Sequence, residues 1–229
     1  GSVIGYGIML HGSVEMGLLS RIVVAWITSP LISAALAALF YVLFKKVLRG
    51  SINEDRVQRA ISFFLICTLC FSAYSFGAND VGNATGVYFT VPQKIGNMPD
   101  FTTMILLAAF GSIGIAFGGL TWGNRVVATV AYKIVHLDPL SGLSADLAHS
   151  LVVFLFVTIP YELIGYGLPI STSISSVGTI IGVGLIKDRS GVNKGTIAQL
   201  ILTWVMTPLS CAILSIAIYK VLSPIIPLI

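Results

Sequence analysis

Charge is what this sequence has least of. Thirteen basic and nine acidic residues make 10% of its 229 positions, where soluble domains carry about 25%. A charged, water-facing surface around a small core is therefore excluded. Cysteine is nearly absent too, with only Cys67, Cys70 and Cys211, so a disulfide framework is excluded. Cys67 and Cys70 have the spacing of a redox or zinc pair, but they lie in an apolar stretch with no second pair or His nearby. They are expected to be buried, reduced thiols. His11, His136 and His149 are not spaced as metal ligands and are expected at interfaces or in packing contacts. No Ser-His, Ser-Lys or paired-Asp arrangement stands near the polar motifs, which argues against a hydrolase. No basic segment precedes an apolar core at the start, so no signal peptide is visible.

What fills the chain instead is apolar sequence: 56% of residues are hydrophobic and mean hydropathy is +0.96. Uncharged runs cover 22–44, 60–79, 101–124, 163–186 and 195–219, each of 20 or more residues, the length a spanning helix needs. The run 163–186 is interrupted by Pro169. Basic residues collect where runs end, which reads as membrane topology and not as a nucleic-acid surface. Lys45, Lys46, Arg49, Arg56 and Arg59 crowd one connection, which is cytoplasmic by the positive-inside rule. The loop between Lys94 and Asp100 is balanced and expected outside, while Arg125, Lys133, Lys187, Arg189 and Lys194 return to the cytoplasm.

Inside this apolar background stands Gly77-Ala78-Asn79-Asp80-Val81-Gly82-Asn83-Ala84-Thr85-Gly86. Twenty uncharged residues separate Asp80 from Arg59 and thirteen separate it from Lys94. A carboxylate at such depth costs about 2.5–3.5 kcal/mol on insertion scales, so it should face a bundle interior or a cavity. On a helix Asn79, Asp80 and Asn83 fall within about 100° of one another, and the glycines make interruption easy. Asn83-Ala84-Thr85 matches a glycosylation sequon but sits at membrane depth.

A second polar element follows from Ser141 to Leu185. An apolar helix over about 144–160 meets a Pro/Gly-rich stretch ending in Leu168-Pro169, then Ile170-Ser171-Thr172-Ser173 and a second helix to Leu185. Both arms are short and both outer ends are basic. A re-entrant helical hairpin fits, with two tilted full spans as the alternative. Its second arm would start near Ser171 or Thr172, where a helix N-terminus favours an oxyanion. The plainer reading makes these hydroxyls caps or packing groups.

The chain also repeats itself. Gly1-Ser2-Val3-Ile4-Gly5-Tyr6-Gly7-Ile8 answers Gly178-Thr179-Ile180-Ile181-Gly182-Val183-Gly184-Leu185 at an offset of 177. At an offset of 178, Trp26, Pro30, Leu31, Ala34 and Tyr41 answer Trp204, Pro208, Leu209, Ala212 and Tyr219. Helix 21–44 ends at a cytoplasmic cluster and its partner 195–221 begins at one, so equivalent helices run in opposite directions. That is the mark of an inverted repeat. The expectation is an all-α polytopic membrane protein in which residues 1–50 are the tail of a first repeat and 51–229 a complete second one. The Gly1-Ser2 pair then belongs to the repeat, and the chain is expected to be a partial transporter.

The segment 77–84 resembles the Gly-Ala-Asn-Asp-Val-Ala-Asn-Ala signature of the inorganic phosphate transporter (PiT) family, with Gly82 for Ala. Pro169-Ile170-Ser171-Thr172-Ser173 resembles its Pro-Val-Ser-Thr-Thr element, and Val177-Gly178 with Ile181–Gly184 the sequence after it. Ile174 stands where the family often has His, and Asp146 where a Glu is common. The resemblance implies an inverted-repeat secondary transporter with a broken signature helix. It also implies phosphate transport coupled to Na⁺ or H⁺ in a cell membrane, with no other cofactor and no enzymatic activity. Asp80 is expected at the coupling cation with oxygens of Asn79 and Asn83. Ser171, Thr172 and Ser173 are expected at phosphate, with the same asparagine amides as further donors; Asp146 and Glu162 are weaker candidates. The alternatives are a sulfate or other oxyanion permease and a non-transporting membrane subunit. Expected partners are phosphate, the cation, the bilayer, and the first half or a second copy of the chain.

Overall fold

The computed structural model describes residues 1–9, 16–48, 54–86, 88, 100–189 and 191–224. Lys94, Arg49 and His11 lie outside the described residues. Seven α-helices are present among these: α1 (Ser2–Met9), α2 (Met16–Leu48), α3 (Glu54–Phe76), α4 (Phe101–Ala128), α5 (Pro139–Ile164), α6 (Thr172–Lys187) and α7 (Lys194–Leu222). Five helical stretches are long and apolar enough to span a bilayer: those containing α2, α3, α4, α5 and α7. At 16 residues α6 rises only about 24 Å, short of the roughly 30 Å core, as the second arm of a hairpin should be. The first arm is longer than the sequence suggests. Asp138 accepts a hydrogen bond from the Ser141 amide at 2.8 Å while the Ser141 hydroxyl meets the Asp138 amide at 2.7 Å. This reciprocal cap starts α5 several residues early. Pro160 is carried inside α5, and the chain turns only at Gly165, whose φ of 78° belongs to the left-handed region that glycine favours.

At the other end of the hairpin, Lys187 closes α6 with an ion pair to Asp138 at 2.5 Å and donates to the His136 carbonyl at 2.9 Å. Burial pushes the Asp138 carboxyl up, but the hydrogen bonds from Lys187 and Ser141 outweigh it and hold its pKa below the ordinary range. A depressed carboxylate stabilises the folded state above its unfolded pKa, and that contribution disappears as pH falls through the lowered value. The latch between the two arms is therefore fully set at neutral pH.

The chain forms two compact units, Gly1–Arg21 with Asn193–Ile229 and Ile22–Val192. Within the first, Gly1 and Gly5 of α1 lie so close to α7 that a Cβ at either would overlap the backbone oxygen of Pro208 or Ala212. Within the second, Gly178 and Gly182 of α6 stand the same way on Pro30 and Ala34 of α2. These four contacts are one pair made twice: Gly178 and Gly182 answer Gly1 and Gly5 in the sequence, and Pro208 and Ala212 answer Pro30 and Ala34. Each short glycine helix thus packs on a long helix at an equivalent position in the sequence. Small residues let helix backbones approach closely where lipid gives no hydrophobic drive to associate. A further seam on α2 recurs every four residues, through Ala25, Ser29, Ser33, Ala37 and Tyr41, all buried. Ser33 meets the Ser175 hydroxyl of α6 at 2.6 Å.

Cys67 and Cys70 correct the expectation of burial. Both are free and exposed, because α3 buries Ile61, Thr68, Ser72 and Ser75 and turns the cysteine face outward. Apolar surroundings in the sequence marked the helix, not the side that packs.

Gly182→Val should prise α6 from α2, since the new side chain meets backbone and not a movable side chain. Overpacking of this kind costs about 1–3 kcal/mol. Gly142→Ala, which meets nothing within 4 Å, should be neutral or slightly stabilising. Thermal aggregation midpoints of the two variants in detergent check the contrast.

Candidate functional site

The polar cluster lies where α3 gives way to a π-helical turn, Gly77–Val81, before helix resumes over 82–86. The interruption expected from the glycines is thus a widened turn, not an unwound one. π-Turns inside α-helices are commonly found at functional sites. Here the wider turn lets two consecutive side chains, Asn79 and Asp80, both reach the hairpin. Asn79 is buried at 4% exposure. Its amide nitrogen donates to the Ile170 carbonyl at 3.1 Å and to the Asp80 carboxylate at 2.8 Å. The Thr172 hydroxyl donates to the same carboxylate from 3.4 Å to each oxygen. Signature segment and hairpin tip, about ninety residues apart in sequence, are joined by these bonds.

The remaining expected residues divide. Ser171 is the N-cap of α6, its hydroxyl accepting from the Ile174 amide at 3.4 Å. Ser173, two positions on, is exposed. Asn83 is exposed at the edge of a cavity of about 480 Å³, which Asn79, Tyr74, Thr158, Tyr161 and Glu162 also line. Glu162 is therefore at the cavity wall, away from the Asp80 contacts. Asp146 lies elsewhere, on α5 against α3, accepting from the Ser72 hydroxyl at 2.8 Å, while its second oxygen is buried without a partner. His149 is in a packing contact as expected. It is buried, with its ring 4.3 Å from that of Phe76.

Sequence reasoning missed Ser72, the Ile170 carbonyl and the tyrosines of the cavity. A signal for Ser72 was present. Thr68, Ser72, Ser75 and Asn79 recur at steps of four, three and four and are all buried, a helical polar seam leading to Asp80. The Ile170 carbonyl had no signal, because any residue supplies one.

Chemically, the cluster combines two capacities. A carboxylate, amide oxygens and a hydroxyl are hard oxygen ligands of the kind alkali and alkaline-earth cations take. Beside them, the first turn of α6 offers backbone N–H groups that no intrahelical acceptor claims, at the positive end of the helix. Asp80 stands within a long apolar helical stretch, with the first turn of α6 beside it, and in such surroundings polar groups are rare and mark ion or substrate paths.

Fold and site together define an integral, polytopic helical membrane protein whose polar centre lies between a π-turned helix and the tip of a helical hairpin. Residues 48–215 match the phosphate transporter family, and the chain belongs to that family, a family of transporters. It is 32% identical over 158 residues to the sodium-dependent phosphate transporter 2 of Xenopus laevis, covering 68% of this chain and 23% of that protein. With the sodium-dependent phosphate transporter 1 of Mus musculus it shares 31% identity over 178 residues, 76% and 25% of the two chains. A Chlamydia pneumoniae relative is 35% identical over 164 residues, 71% of this chain and 37% of its own length. The chain thus spans well under half the length of these curated relatives. A solved structure of a sodium-dependent phosphate transporter superimposes with a TM-score of 0.67 at 25% identity, over 90% of this chain and 66% of the other.

Ser72→Ala removes the donor to a carboxylate whose other oxygen already lacks one. An unsatisfied buried group costs about 1–3 kcal/mol, so this variant should melt measurably lower than Ser62→Ala, whose hydroxyl is bonded only within its own exposed helix turn.

Proposed function

We propose that this chain forms a large part of a cation-coupled carrier of inorganic phosphate that works by alternating access. The single observation that carries the proposal is the Thr172–Asp80 contact, which joins an acid in an apolar helical stretch to the positive end of the short helix α6. The family match and the sodium-dependent relatives support phosphate as substrate and Na⁺ as coupling ion.

Asp80 holds the cation, because two anions in a low dielectric repel. Asn79 and Asn83 assist through their oxygens. For Asn79 this division is supported by its amide nitrogen, which is already engaged with Ile170 and Asp80. Phosphate sits at the first turn of α6, taking the free N–H groups and the hydroxyls of Ser171, Thr172 and Ser173, of which Ser171 also caps the helix. Loading Na⁺ at Asp80 draws charge from the carboxylate and releases the Thr172 hydroxyl to turn toward phosphate. Each substrate thereby favours binding of the other, and the empty or doubly loaded carrier is the one able to switch.

Residues 1–50 belong to a first repeat and 51–229 to the second, and the site is completed at the interface between repeats. This chain therefore transports only with a first half or a second copy beside it. It acts in the plasma membrane, needs no cofactor beyond the coupling ion, and catalyses no covalent chemistry.

Radiolabelled phosphate uptake into proteoliposomes holding the complete carrier tests these roles, with sulfate as competitor and Na⁺ or pH gradients imposed separately. Asp80→Asn should insert normally and lose cation-dependent uptake; unchanged Na⁺ and H⁺ dependence would overturn the cation assignment. Thr172→Val should weaken phosphate affinity roughly five- to 150-fold, the equivalent of about 1–3 kcal/mol for a lost buried donor. Sulfate uptake equal to phosphate would move the reading to a general oxyanion permease.

A further inference from the structure

The segment that returns from α5 toward α6 is pinned to α5 by a bond that Pro160 makes possible. Proline has no amide hydrogen, so the Phe156 carbonyl four residues before it lacks its usual helical donor. The Leu168 amide takes that place, donating to Phe156 at 2.9 Å. Gly167 runs so close alongside that a Cβ there would meet the Val157 oxygen at 2.6 Å. The last turns of α5, this segment and the helix around the π-turn together wall the cavity of about 480 Å³.

Among the described residues no basic side chain lines this cavity, and Glu162 is the one carboxylate that does. Glu162 makes no ion pair or hydrogen bond with any described residue. Thr158, one turn before it on the same face of α5, lies on the cavity wall with its hydroxyl buried and without a partner among the described residues. Thr28, Thr85, Thr203 and Thr207 each satisfy their hydroxyls on the carbonyl four residues back. Thr158 forgoes that bond, and an unsatisfied buried hydroxyl is costly. Asn83 stands at the cavity edge and Asn79 on its wall, where the Asn79 amide nitrogen also meets the Asp80 carboxylate at 2.8 Å. Glu162 and Asn79 thus share one chamber, and Asn79 touches Asp80.

We infer that Glu162 and the Thr158 hydroxyl form a capture site for a hydrated monovalent cation, Na⁺, which passes from there by Asn83 and Asn79 to Asp80. An anion is repelled, since the carboxylate has no basic side chain beside it in the chamber. A cleft lined by one sign of charge raises the local concentration of its counter-ion, and a chamber of this size leaves the ion most of its water. One carboxylate matches one positive charge, whereas Ca²⁺ sites gather six to eight oxygens and several carboxylates. Glu162 lies about 36 Å along α5 from Asp138, at the opposite end from the Asp138–Lys187 latch. With the basic ends of the helices on the cytoplasmic side, the ion enters this chamber from outside. Only the choice of Na⁺ rests on the cation coupling proposed above.

Charge-selective labelling of a thiol in the chamber tests the site. Gly82 lines the cavity and a Cβ there meets nothing within 4 Å, so Gly82→Cys is placed in the 229-residue chain with Cys67→Ala, Cys70→Ala and Cys211→Ala, in nanodiscs. A trimethylammonium thiosulfonate should label it faster than the sulfonate reagent, by a ratio several-fold higher than in Glu162→Gln, and the preference should shrink as salt rises. Sodium chloride should slow the cationic reagent several-fold against N-methylglucamine chloride at equal ionic strength. Glu162→Gln should abolish that protection, while Glu162→Asp and Asp80→Asn retain it. Glu162 is exposed, so its variants keep the fold, and the Gln–Asp contrast stands without the Asp80 one. Equal charge preference in wild type and Glu162→Gln would mean that Glu162 does not govern the chamber. A preference without Na⁺-specific protection would leave a diffuse field and no bound ion. Protection lost in Asp80→Asn would place the ion at Asp80. Each of these three results overturns the inference. Protection lost in Glu162→Gln and kept in Asp80→Asn upholds it, even where Asp80 itself holds no cation.

Discussion

A carboxylate within an apolar helical stretch has few partners except those the fold brings to it, and the arrangement around Asp80 follows from that constraint. In a low dielectric an unpaired charge is far more costly than at a surface, so the protein must bring donors to it. Asn79 supplies one from the next position along the chain and Thr172 another from the hairpin tip. A regular α-turn would aim consecutive side chains about 100° apart. The π-turn over Gly77–Val81 lets both face the tip instead. The hairpin must in turn end at that depth, which requires a short α6, a cap at Ser171 and a left-handed turn at Gly165.

A second constraint operates between helices. Apolar side chains gain little from leaving lipid for one another, so association depends on close fit and on polar contacts between helices. The glycine contacts of α6 on α2, and of α1 on α7, meet that need. The Ser33–Ser175 bond and the Asp138–Lys187 latch fix the same hairpin along its length. Thr172 is thereby held opposite Asp80 by contacts about one to four helical turns away. Site geometry and hairpin packing are parts of one structure, and a change at Gly182 should be felt at the tip.

Much of this was legible because membrane sequences are written in a small vocabulary. Length and apolarity fix spans, basic residues fix their ends, and a lone Asp between two Asn inside a span cannot be ordinary surface. The repeat was legible because Trp, Pro and Gly kept their register. Which face of α3 packs is marked by the Thr68, Ser72, Ser75 and Asn79 seam and not by the cysteines, which lie off that seam. Other features resisted reading for physical reasons. The carbonyl of Ile170 is a backbone group and leaves no mark in a side-chain sequence. Asp146 and Glu162 looked alike as acids in apolar surroundings. Only the fold put one against Ser72 and the other at a cavity wall.

The sequence by itself determined the class of protein, the spans, the repeat and the two segments that carry polar chemistry, since each is a property of composition or of short-range periodicity. Tertiary structure alone decided that Thr172 rather than Ser171 meets Asp80, that the interruption is a π-turn, and that α1 lies on α7 and α6 on α2. These depend on distances between residues far apart in the chain. Such distances are set by helix approach and capping, of which local sequence records only the parts.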